Sequence, residues 1–174
     1  MNLGSESEFV EFKKSTGEHK EALQAISAML NKHGQGSLYF GVRDNGDVVG
    51  QMVSDSTVQQ IRSWISDKIE LAIHPVIEKN SDEEGHDYVH VSFKGLRAPY
   101  SADGRYFIRV GTSDEMLGSA DLKEMAARFY EIDNPWDSRS SNRTVSDISP
   151  SVIERYVSMG NKSCLLYTSP SPRD

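Results

Sequence analysis

Residues 6–13 read Glu-Ser-Glu-Phe-Val-Glu-Phe-Lys, three carboxylates, two phenylalanines and a lysine in eight positions. In a strand, Phe9, Glu11 and Lys13 share one face, and Glu8, Val10 and Phe12 share the other. A carboxylate and an ammonium side by side have two explanations. One is a solvated edge pair of little energetic weight. The other is a site for a divalent cation or a phosphate, where grouped carboxylates hold the ion and the lysine steadies an oxygen. Further along, Asp44 stands beside an Asn45-Gly46 turn, glycines fall at 34 and 36, and Arg43, Arg105 and Arg109 supply positive charge. Each has a plain alternative: Asp44 bonding turn amides, Gly34 capping a helix, Arg109 pairing with an internal carboxylate. His86 and His90 are four apart within an expected strand, which denies them the shared face that a helix gives. Gly160-Asn161-Lys162-Ser163 splits the Gly-Lys pair of a phosphate loop and follows no strand.

These residues must be positioned by regular elements. Ser15-Thr16-Gly17-Glu18 has the form of a capping box, so a helix starts there. Its apolar stripe is Ala22, Leu23, Ile26, Met29 and Leu30, with Lys32 and His33 at the negative end and Gly34 as the C-terminal cap. Residues 37–43 and 47–50 are expected to pair as a hairpin through a type I′ turn at Asn45-Gly46. Ser54 or Asp55 caps a second helix that runs through Ala72 to His74-Pro75. Strands follow at 75–79, 87–94 and 105–111, the last two joined by a loop from Gly95 to Gly104. A third helix starts near Ser119. The order β-α-ββ-α-β-β-β-α implies an α+β fold with about three helices packed on a mixed, largely antiparallel sheet.

The domain is expected to cover residues 1–131. A linker of Ser, Asn, Pro and Arg character follows at 132–148, then the start of a helical region at 149–163. Residues 164–174, Cys-Leu-Leu-Tyr-Thr-Ser-Pro-Ser-Pro-Arg-Asp, fit neither period and resemble translated sequencing-adaptor sequence, so they are expected to be a non-native tail. Nothing resembles a membrane span or a signal peptide, and the lone Cys164 permits no internal disulfide, so a cytoplasmic protein with no membrane partner is expected. The net charge of −7, from 19 Lys+Arg against 26 Asp+Glu, speaks against tight non-specific duplex binding but leaves room for a local basic face.

Taken in order, three pieces resemble the AlbA-type domain of the Schlafen superfamily, found in the N-terminal part of bacterial transcriptional regulators and ATP-dependent helicase-like proteins. They are the opening Glu-Ser…Glu-Phe-Lys, the run from Ile26 to Gly50 that contains Gly-Val-Arg-Asp-Asn-Gly at 41–46, and Ala98 to Ser113 with its Tyr-Phe-Ile-Arg-Val-Gly-Thr. The glycine segment is one residue longer than the family pattern, and Thr112 replaces its serine. The resemblance implies a nucleic-acid-binding module whose RNA or DNA contacts are Lys13, Asn31, Gly34, Gly36, Arg43, Arg105 and Arg109. It also implies the alternative of a metal-dependent endoribonuclease, with Glu6, Glu11 and Asp44 as catalytic residues around Mg or Mn. Because Glu6 and Glu11 have opposite parity, they converge only if the chain bends near Ser7. A homo-oligomer is left open.

Overall fold

In the computed structural model, which describes residues 1–133, 145–147 and 149–165, the first helix starts where the capping box places it. The Ser15 hydroxyl accepts from the Gly17 amide, and the Glu18 carboxylate accepts from the Ser15 amide. One 3-10 turn, Thr16–Glu18, leads into α1 (His19–His33). Gly34 ends it at φ 70°, with its N–H donating to the Leu30 carbonyl.

The strands form two four-stranded sheets rather than the one that was expected. The first has the order β1-β2-β5-β4, from β1 (Val10–Lys13), β2 (Gln35–Phe40), β4 (Val76–Ser81) and β5 (Asp87–Lys94). β1 and β2 are parallel, with α1 as their crossover, and the other pairs are antiparallel. The second sheet has the order β3-β6-β7-β8, from β3 (Ile69–Glu70), β6 (Ser101–Ala102), β7 (Arg105–Val110) and β8 (Ser113–Met116), all antiparallel. The α+β class with mixed pairing therefore stands, with more strands than the sequence displays.

Helix α1 packs against both sheets, through β2 on one side and β6–β7 on the other. That explains why Ala25, Ser27, Ala28 and Asn31 are buried in addition to the apolar stripe. Leu23, Ile26, Met29 and Leu30 join Leu38, Phe40, Val89, Val91 and Phe93 in the main core. A smaller core of Phe12, Val42, Val48 and Tyr88 gathers separately.

The second helix, α2 (Asp55–Lys68), is capped by Ser54. It stops four residues before Ala72 because Ile69–Glu70 pairs with β6 and Leu71 turns to φ 62°. Helices α3 (Ser119–Asp133) and α4 (Pro150–Leu165) follow, with a 3-10 turn at Val145–Asp147 between them. Contacts divide the chain into units 1–133 and 134–174. Most of the expected linker, with Trp136, and the tail residues 166–174 lie outside the described residues. Among the described residues, no helix is long and apolar enough to cross a membrane.

The turns differ in type from expectation. The Gly46 amide donates to the Arg43 carbonyl at 2.7 Å and the Arg43 amide to Asp47 at 3.0 Å. Within that turn only Gly46 has positive φ, 87°. This is a three-residue loop closing on a glycine, whereas a type I′ turn needs positive φ at both central residues. Beyond it, Val42 and Val48 make only an isolated bridge, so the second arm of the expected hairpin is not a strand. The positive pair occurs instead at Asp103 (50°) and Gly104 (74°), joining β6 to β7 inside what was expected to be a plain loop.

Asn31 is buried and fastens α1 to the second sheet. Its side-chain amide donates to the carbonyls of Tyr100 and Phe107, both at 2.8 Å, and its oxygen accepts from the Tyr100 amide at 2.6 Å. Asn31→Ala removes one partner from each of these three buried backbone groups. Since an orphaned group costs about 1–3 kcal/mol, unfolding in urea is expected to show a loss of about 3 kcal/mol or more. A loss below about 1 kcal/mol would mean that these bonds do not hold the sheet to the helix.

Candidate functional site

The bend that Glu6 and Glu11 require is present. Ser7 and Val10 exchange backbone hydrogen bonds at 3.0 and 3.4 Å, closing a tight turn around Glu8 and Phe9. The chain therefore enters β1 after a reversal, not as one flat strand from Glu6. Glu6 folds back, and its Oε1 accepts from the Phe12 amide at 3.0 Å. Burial pushes the Glu6 carboxyl above its ordinary range, against that bond. Glu11 and Asp44 push it further and Lys13 pulls it down. Glu6 thus senses the charge of both other carboxylates.

They do not, however, form a ready metal cage. Glu11 is only 7% exposed and both of its oxygens are engaged, Oε1 by Lys13 Nζ and Oε2 by Arg109 Nη2 at 2.6 Å. Asp44 sits exposed in the turn that follows Arg43. Among the described residues, the trio whose ligand atoms lie within 4.8 Å of one another is a different one: Asp82, Glu84 and His86. As arranged, then, Glu6, Glu11 and Asp44 do not fit Mg or Mn.

Arg109 is 0% exposed. Besides Glu11, its guanidinium reaches Asp114 through Nη1 at 2.8 Å and the Ser7 carbonyl through Nη2 at 3.0 Å. Burial works against its charge, but the bonds from Asp114 and Glu11 outweigh that and hold its pKa above the ordinary value. Burial also pushes the Asp114 carboxyl up, against the pull of Arg109. At 2.8 Å from a guanidinium that does not deprotonate, we read Asp114 as ionised at neutral pH. Arg109 is an internal counter-ion, closed to an external phosphate.

The Asp82 trio could hold a divalent ion by distance alone. Asp82 Oδ1 already accepts from the amides of Glu84 and His86, and Oδ2 faces His86 Nδ1 at 3.0 Å. The His86 amide leads in holding this carboxyl at a pKa of about 2. Such bonding is what closes the turn between β4 and β5.

The other expected contacts divide the same way. Asn31 is used inside, and Gly34 is the cap of α1. Gly36 lies within β2, not in a loop, and a Cβ there would collide with Met29 Sδ and the Phe93 ring. Lys13 is half-buried against Glu11. Arg43 and Arg105 remain exposed.

Arg105 stands at a cleft of about 400 Å3 between the start of α1 and the β6–β7 turn, lined also by His19, Lys20, Lys68 and Asp103. Lys68 Nζ meets Asp103 at 2.9 Å. That hydrogen bond holds the Asp103 carboxyl below its usual range, with Arg105 and Lys20 adding to the pull, and it raises Lys68. His19 stacks on Trp64 with ring centroids 4.7 Å apart. Three cations thus share one carboxylate. Lys20 and Lys68 look in the sequence like any exposed helical lysines. Reading Asp103-Gly104 as a type I′ turn would have been the signal that Arg105 is presented beside them.

A family model described as Schlafen, AlbA_2 matches residues 6–118. The crystal structure of the DIP2311 protein from Corynebacterium diphtheriae is similar in fold, with a TM-score of 0.51 and 19% identity over 84% of this chain. The matched part spans 28% of that protein's length. No curated protein matches.

Arg109→Ala leaves Asp114 without a counter-ion and Glu11 with Lys13 alone. Denaturant unfolding is expected to show a loss of roughly 3–5 kcal/mol, the scale for breaking a buried ion pair. Near wild-type stability would mean that Arg109 is not the internal counter-ion described here.

Proposed function

Because the chain belongs to the Schlafen AlbA_2 family, matched over residues 6–118, we propose that it is a nucleic-acid-binding module of a longer bacterial transcriptional regulator or ATP-dependent helicase-like protein. The cleft of Lys20, Lys68 and Arg105 carries this reading. A phosphodiester backbone is a row of single negative charges, and a guanidinium flanked by two ammonium groups is a natural match for it. Phosphate contacts of this kind position a nucleic acid without reading its bases. The chain's charge of −7 sets the strength, since acidic surface elsewhere keeps binding local and sensitive to salt. Exposed Arg43, and Lys13 where it is released from Glu11, are secondary contacts.

Affinity for a mixed-sequence oligonucleotide is expected to fall with salt at a log–log slope of about −2 to −3, as three phosphate contacts dictate. Arg105→Ala should weaken binding about tenfold and flatten that slope by about one. No binding at low salt, or full affinity in a Lys20→Ala, Arg105→Ala double variant, would overturn the proposal.

One observation favours the endoribonuclease alternative: Glu6 is electrostatically coupled to both Glu11 and Asp44. It requires Glu11 to leave Arg109 and Lys13. With Glu11 held, Mn2+ is expected to leave the thermal midpoint unchanged. A rise of several degrees in the wild type but not in Glu6→Gln, together with chelator-sensitive cleavage of structured RNA, would establish the enzyme instead.

A further inference from the structure

On the face of the first sheet turned away from α1, strand register sets Val10, Ser37, Ser92 and Val76 in one row across all four strands. The next row is Phe12, Tyr39, His90 and Glu78. Two serines side by side at the middle of a sheet leave a hollow between larger neighbours. The result is an open groove of about 450 Å3. Alongside it, in the next row, Tyr39 and His90 stack at 4.4 Å with their rings 10° from parallel. On the other side stands Phe9, held out by the Ser7–Val10 turn, with one ring face against His33 at 4.3 Å and 43% of its surface exposed. Lys94 and His74 complete the lining.

The chemistry of this lining is specific. Phe9 offers a partly exposed aromatic face, which is costly to leave wet. Ser37 and Ser92 offer hydroxyls that both donate and accept, and Ser37 Oγ lies 3.3 Å from His90 Nε2. Lys94 has no ion-pair partner among the described residues, and the nearby carboxylates Glu8 and Glu78 each face a histidine at 3.4 Å, His33 and His90. A flat ring with polar edges, attached to one negative charge, matches all of these features. We infer that this groove binds a single unpaired nucleotide, its base stacked on Phe9 and edged by Ser37 and Ser92, its phosphate at Lys94. The occupant is single-stranded, because a paired base presents no free face to a sheet. This deepens the nucleic-acid reading above but uses a different surface from the Lys20, Lys68 and Arg105 cleft.

The test is photo-crosslinking of a short oligouridine carrying 4-thiouracil, followed by peptide mapping, with affinities for single-stranded and duplex oligonucleotides of equal length. Crosslinks are expected on residues 9–10, 35–37 or 92–94. Phe9→Ala and Ser92→Trp, which fills the hollow, should each weaken single-strand binding about tenfold, the scale for losing one base–aromatic stack, and leave duplex binding unchanged. If Ser92→Trp fails to fold, Phe9→Ala decides, since Phe9 lies in an exposed turn. Crosslinks only elsewhere, with both variants at full affinity, would overturn the groove while Lys20 and Arg105 dependence kept the binding reading. Absence of any binding would overturn both. A concentration-dependent dimer that Ser92→Trp abolishes would assign the groove to a second copy of the chain and overturn the inference.

Discussion

One guanidinium ties the two sheets together. Arg109 comes from β7 of the second sheet, and its contacts with Glu11 and the Ser7 carbonyl belong to the first. Asp114, on β8, completes its surroundings. Burying a charge this far costs several kcal/mol, which only close and well-directed partners offset. The partners are therefore not free to serve elsewhere. Glu11 is held as a counter-ion, Lys13 follows Glu11, and the reversal at Ser7 is pinned by its own carbonyl. Much of the chemistry suggested by residues 6–13 is thereby turned inward. What stays outward is Phe9, which the same reversal holds toward solvent.

A second constraint follows from placing α1 between two sheets. A helix exposed on one side needs one apolar stripe, but this one has almost no exposed side over residues 22–31. Its second face must satisfy the backbone of short strands that cannot pair fully among themselves. Ser27 and Asn31 do this by reaching Tyr100 and Phe107. A polar residue in the middle of a helix thus has a structural role here, and it is withdrawn from any ligand.

Sequence signals are legible where the physics is local. The Ser15 box, the Gly34 cap and the Ser54 cap depend on a few neighbouring residues, and both helix starts stand where those residues put them. Turn type was not legible at Asn45-Gly46, because that dipeptide marks a turn without choosing how many residues close it. Strands β6 and β8 carry no period: one has two residues, the other reads Ser-Asp-Glu-Met at a sheet edge. The division into two sheets depends on contacts between distant segments, which composition does not record. At the site, Arg109 was open to both a ligand and an internal carboxylate, and only its burial decides. Lys20 and Lys68 become neighbours of Arg105 through tertiary packing alone.

The bonds from Asn31 to residues 100 and 107 also bear on how the protein is made. Synthesis proceeds from the N-terminus, so α1 and β2 leave the ribosome well before β5, β6 and β7 exist. During that interval β2 lacks its partner on one edge, and both apolar and amide groups on the far face of α1 have nothing to meet. Contacts so distant in sequence slow folding, because a long loop must close before any of them is gained. The nascent domain therefore passes through a stage with an open strand edge and an uncovered helix, the combination that invites chaperones or association with other chains.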